Sequence, residues 1–127
     1  MFKTFASLAL VVLPAFVTLP AAAEWVEIAQ TTKGDRFYVE DSTIYRDGQM
    51  VEFWGSQVLG MPAKSGVAER KTREVADCGL NQLNQKQFVT YDRFDQVVHN
   101  VEINNNIWTA AKPGTPNALM LNFVCSR

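Results

Sequence analysis

The chain has 127 residues, 47% of them hydrophobic, 11% aromatic and 20% charged, which supports one compact domain and excludes a multidomain enzyme or a disordered tail. Twelve Lys and Arg against thirteen Asp and Glu leave a formal charge of -1, so no global field draws the protein to nucleic acid or to an anionic membrane. A charged partner must meet a local patch.

The chain opens with Met1-Phe2-Lys3, an apolar run from residue 5 to residue 17, and Leu19-Pro20-Ala21-Ala22-Ala23 before Glu24. A single positive residue, a short apolar core and an A-x-A site are the parts of a Sec-type signal peptide, with cleavage expected after Ala23. A spanning helix needs about 20 apolar residues. This run is shorter, with Pro14 inside it and Pro20 closing it. No Cys lies at the cleavage site to take a lipid, and no later segment is apolar for long enough to cross a bilayer. The expectation is a leader over residues 1–23 and one exported domain over 24–127, periplasmic or secreted.

Both cysteines, Cys78 and Cys125, lie in that mature part. An even number in an exported chain reads first as a disulfide. A metal pair or a reactive thiol finds less support, since there is no C-x-x-C and a single His cannot complete a four-ligand cluster.

In chain order, Trp25-Val26-Glu27-Ile28-Ala29 reads as a first strand and Thr31-Thr32-Lys33-Gly34-Asp35 as its turn. Residues 36–41 form a second strand, rich in aromatic and β-branched side chains. Asp47-Gly48 between apolar runs signals a hairpin, with Met50 to Trp54 returning. Residues 60–66, with two glycines and a proline, are a surface loop. Residues 67–78 alternate charged and small apolar side chains and suit a long strand better than a helix. Residues 82–91 follow as a strand and 92–96 as a turn. Residues 97–103 alternate, with Val97, His99, Val101 and Ile103 on one side, the pattern of a half-buried strand. Thr115-Pro116 is a helix start, capping residue before proline. Ala118, Leu121 and Cys125, with Leu119 and Phe123 beside them, give an amphipathic helix over 117–125. The expected fold is α+β: an antiparallel sheet of five to six strands, a C-terminal helix packed on it, and one disulfide.

Catalytic signatures are missing. His99 sits among valines and reads as a hydrogen-bonded core or edge residue rather than a base, and no nucleophile turn accompanies it. Glu40 and Asp41 point to opposite sides of a strand, and Asp92 and Asp95 lack the order of a calcium loop. Gly55 and Gly60 have the separation of a phosphate loop without the Gly-Lys-Ser/Thr that completes one. No cofactor is implied. Trp25, Trp54 and Trp108 are taken as core residues, with a ligand surface as the alternative. Lys64, Arg70, Lys71 and Arg73 put four basic residues within ten positions, with Glu69 and Glu74 interspersed. That strip reads either as a solvated, charge-mixed edge or as a docking strip for an acidic partner. On a strand Lys71 and Arg73 share one side and Arg70 takes the other.

Trp25, the run Phe37-Tyr38-Val39-Glu40-Asp41 with Ser42 and Ile44, the Arg46-Asp47-Gly48 turn, the basic stretch leading into Asp77-Cys78, Thr90-Tyr91-Asp92, and Pro113-Gly114-Thr115 before a helix ending in Val124-Cys125 together resemble the surface-adhesin protein E family of bacteria. The resemblance spans the whole mature chain. It implies a sheet with a packed helix closed by one disulfide, and a non-enzymatic, envelope-exposed binding protein. Host matrix and serum glycoproteins such as vitronectin, laminin and plasminogen are the implied partners, met through residues 64–85. A homodimer is compatible with it, since an exposed edge strand can pair two copies. The rival expectation is a periplasmic structural or accessory protein that meets no host.

Overall fold

The computed structural model describes residues 23–127; the leader expected over 1–23 lies, but for Ala23, outside the described residues. The elements are β1 (Trp25–Gln30), β2 (Arg36–Glu40), a 3-10 turn (Asp41–Thr43), β3 (Tyr45–Asp47), β4 (Met50–Val58), β5 (Val67–Asp77), β6 (Gln82–Asp92), β7 (Val97–Glu102), β8 (Thr109–Ala110) and helix α1 (Pro116–Cys125). Every pairing is antiparallel, and the main path runs β1-β2-β4-β5-β6-β7. This is the expected α+β architecture, with two short strands added: β3 pairs with residues 50–52 of β4, and β8 with residues 82–83 of β6.

The sheet curls into a half-barrel. Register shifts fall in β1 between Glu27 and Ala29, in β5 between Val67 and Glu69, against β6 between Arg73 and Glu74, and against β7 between Thr90 and Tyr91. Each bulge adds a residue to one strand, bends it and increases its twist. The hairpin at Asp47-Gly48 forms as expected, with Gly48 at φ 60°, a conformation that a side chain disfavours.

Helix α1 begins where expected. Thr115 is extended, its hydroxyl accepts the Ala118 amide at 3.3 Å, and Pro116 fills the first turn, where its missing N–H leaves nothing unpaired. Its far end is held by Arg46 of β3, whose Nη2 donates to the Cys125 carbonyl at 2.6 Å. A cation there complements the helix dipole. The core lies between this helix and the sheet: Val39, Val51, Phe53, Ala76 and Leu83 from the strands meet Met120, Leu121 and Val124. Cys78, just past β5, and Cys125, the last helical residue, are joined, with their Cα atoms 5.7 Å apart.

Two expectations are corrected. The helix buries Ala118, Met120, Leu121 and Val124, whereas Leu119 is 46% exposed. The helix is apolar almost all round, so spacing could not single out one stripe; the disulfide and the docking partner set its rotation. Strand β7 is exposed along its whole length rather than half-buried, with Val97 at 59%. It is one of the sheet's two edge strands, and the helix packs on β1, β2, β4 and β5, toward the opposite edge.

Candidate functional site

Strand alternation sorts the basic strip before any partner is considered. Along β5, Arg70, Thr72 and Glu74 point to the helix side, while Glu69, Lys71 and Arg73 point to the opposite side. Lys64 stands in the exposed loop between β4 and β5. The four residues therefore occupy three environments.

On the helix side, the Arg70 guanidinium lies 4.4 Å from the Phe88 ring centroid, and its Nη2 donates to Gln85 Oε1 at 3.2 Å. Its Nε is buried without a partner among the described residues. Beside it a polar cavity of about 180 Å³ is lined by Gln57, Arg70, Thr72, Glu74, Gln85 and the first helical turn at Asn117. Burial pushes the Glu74 carboxyl up to about 7, against the opposing pull of the Thr72 hydroxyl and the Arg70 charge.

On the opposite side, Lys71 is paired across the sheet with Ser56 of β4 and Val89 of β6. Its ammonium lies 5.2 Å from the Trp25 ring centroid and 4.9 Å from that of Tyr91, a double cation–π arrangement. No carboxylate stands within 4.0 Å of it among the described residues. Arg73 is held differently. Its Nη1 donates to Glu52 Oε1 at 2.8 Å and its Nε to Gln87 Oε1 at 3.4 Å, so its charge is already matched. Two clefts flank Lys71. The smaller, about 240 Å³, is bounded by Trp25, Tyr38, Ser56, Val58 and Glu69; the larger, about 320 Å³, by Ala23, Trp25, Glu40, Thr43, Trp54 and Tyr91. Ser56 donates to Glu69 Oε2 at 2.7 Å and orients that carboxylate.

Trp25 and Trp54 are thus not core residues, contrary to the reading taken from sequence. They are half-buried at the mouth of a cleft, because Phe53 takes the inward position of β4 and its neighbour Trp54 must point the other way. The signal was present in the alternation of Val51, Phe53 and Gly55 against Glu52, Trp54 and Ser56, which places one aromatic on each side.

The remaining candidates are accounted for locally. His99 lies on exposed β7, its Nδ1 3.3 Å from Thr90 Oγ1. Asp92 Oδ1 accepts the amides of Phe94 and Gln96, so it shapes the turn. Among the described residues no group of three or more His, Cys, Asp or Glu side chains is placed to hold a metal ion, and no helix is long and apolar enough to cross a membrane.

Comparison with known proteins extends the reading. No curated protein matches the chain. Its backbone is similar to crystal form II of Haemophilus influenzae protein E, with a TM-score of 0.58 at 14% identity over 84% of this chain and 92% of that one. A second structure of Haemophilus influenzae protein E gives 0.55 at 14% identity over 84% and 89%, and protein E from non-typeable Haemophilus influenzae gives 0.52 at 13% over 84% and 80%. At such identities these likenesses speak for the fold alone. The model of the Surface-adhesin protein E family matches residues 25–126, nearly the whole described chain, and the protein therefore belongs to that family.

Proposed function

We propose that this is an exported, non-enzymatic adhesin-type module that engages a host matrix or serum protein, or a glycan carried on it, through the sheet face bearing Lys71 and Arg73. The observation that carries the reading is Lys71 itself: an ammonium held between two aromatic rings, without an ion-pair partner among the described residues, in the floor of two open clefts. A cation already shed of part of its hydration and unmatched by a carboxylate gains from an incoming acceptor. Lys64, in the exposed loop that precedes β5, lines neither cleft and is left out of the contact set. Arg70 is left out as well, because its guanidinium is stacked on Phe88 on the helix side. Family membership supports the adhesin reading, and the apolar leader of residues 1–23 supports export.

The test is binding of the processed protein to immobilised vitronectin, laminin and plasminogen. The double variant Lys71→Glu, Arg73→Glu is expected to bind about tenfold or more weakly at unchanged circular dichroism. Binding to none of the three, or binding that the double variant leaves intact, overturns the reading. Fractionation of the producing cell supplies an independent check: a protein found only in the periplasm is an accessory protein, not an adhesin.

A further inference from the structure

Four large aromatic side chains from four strands, Trp25 of β1, Tyr38 of β2, Trp54 of β4 and Tyr91 of β6, converge on one lysine of β5. Each is half-buried rather than enclosed, which is an unusual way to spend aromatic area in a small domain that already has a separate core of Phe53, Leu83, Met120 and Leu121. Half-buried aromatic side chains beside polar groups are the equipment for holding a flat, amphipathic ligand.

The charges on this face narrow the class of ligand. Glu40, Glu52 and Glu69 share it with Lys71 and Arg73, and Arg73 is already neutralised by Glu52. A sulfated or otherwise polyanionic chain would meet repulsion from Glu40 and Glu69 along with the attraction of Lys71. A neutral sugar meets neither problem. The two cleft carboxylates are oriented by hydroxyl groups instead of cations, Glu69 by Ser56 at 2.7 Å and Glu40 by Ser42 at 3.4 Å. Their remaining lone pairs can accept sugar hydroxyls, while the Lys71 ammonium can donate to hydroxyl oxygens. The C–H face of a pyranose ring can lie against an aromatic plane that Lys71 leaves free, Trp54 foremost, since the ammonium itself sits over the Trp25 and Tyr91 rings.

We propose that the paired clefts around Lys71 bind a neutral oligosaccharide, with one pyranose ring against Trp54 and the adjoining one between Tyr38 and Glu69. This rests on the choice of face made under the proposed function and names the chemistry it recognises.

The processed protein would be screened on an array of neutral, sialylated and sulfated glycans, and the strongest neutral oligosaccharide titrated by tryptophan fluorescence at low and high salt. The expected result is a saturable emission change from Trp25 and Trp54 and an affinity that changes little with salt. Trp54→Ala and Lys71→Met should each weaken binding about tenfold, the factor carried by one stacking contact or one good hydrogen bond. Arg70→Gln, on the helix side, should leave it unchanged, and matched circular dichroism spectra show that the variants fold. Should Trp54→Ala fail to fold, Lys71→Met carries the comparison alone. Binding of no glycan, or of charged glycans only with affinity collapsing in high salt, overturns the proposal. A matrix protein that binds equally well after enzymatic deglycosylation, yet loses binding to the Lys71→Glu, Arg73→Glu variant, overturns the saccharide site and leaves the adhesin reading standing. A saccharide bound by a protein that meets no matrix component does the reverse.

Discussion

Glu74 is a carboxyl placed where a charge is costly. It projects from β5 toward the helix, paired across the sheet with Phe53 and Gln85, and its folded-state value of about 7 exceeds the ordinary 4.5 chiefly because it is buried. Since folding raises this value, the protonated form is favoured in the native state. Above about pH 7 the group is ionised both folded and unfolded, and the fold carries the full cost of burying the charge, on the order of 3 kcal/mol. As the pH falls from about 7 to 4.5 the native state takes up its proton first and the cost disappears. Glu74→Gln should therefore be more stable than the parent at about pH 8, with the difference shrinking toward zero near pH 4.5, as read from urea midpoints across the pH range. A difference independent of pH would show that burial of charge is not what Glu74 contributes.

At the scale of the element, the terminal helix shows how little local energy stabilises it and how much its neighbours supply. Ten residues are marginal for an isolated helix in water, so its stability comes from the face of Met120, Leu121 and Val124 against the sheet. The start is fixed by Thr115, whose Oγ1 both accepts the Ala118 amide and donates to the Lys112 carbonyl at 2.6 Å. Thr115→Ala should cost about 1 kcal/mol, with the helical circular dichroism signal retained, and Thr115→Ser should recover most of it in chemical unfolding. Strand β7 is the contrasting element: it has the alternation of a half-buried strand and yet stays exposed, since among the described residues neither the helix nor another strand covers its outer edge.

For the whole molecule, the Cys78–Cys125 bond ties the end of the central strand β5 to the last turn of the helix across 47 positions of chain. In the chain-entropy account a loop of that length contributes about 4 kcal/mol, comparable with the entire stability of a marginal domain. The double substitution Cys78→Ser, Cys125→Ser should lower the urea midpoint by an amount matching that loss, and reduction of the parent protein should reproduce the shift. An unchanged midpoint would mean that helix docking alone holds the sheet's inner face. The same sheet is the scaffold of the candidate site: Trp25, Tyr38, Trp54, Lys71 and Tyr91 span most of the sequence and meet only because five neighbouring strands align them.

Much of this was written locally. The hairpin at Asp47-Gly48, the long strands β5 and β6 and the helix start at Thr115-Pro116 follow from residues read within short windows, because turn chemistry, capping and strand alternation act over a few neighbours, whereas the cysteine pair came from an even count in an exported chain and the kinship with the adhesin family from the order of motifs along it. The split of Lys71 and Arg73 from Arg70 was legible for the same reason. What tertiary structure alone decided is which sides are covered. The bulge opposite Arg73 and Glu74 shifts the alternation of β6 at Lys86, so no single strand pattern predicts its two faces. One helix can shield only the strands on which it docks, and where it docks is set by contacts distant in sequence. That choice buried Phe53, left β7 bare, and turned Trp25, Trp54 and Lys71 from an expected core and a basic strip into the aromatic walls and floor of two adjoining clefts.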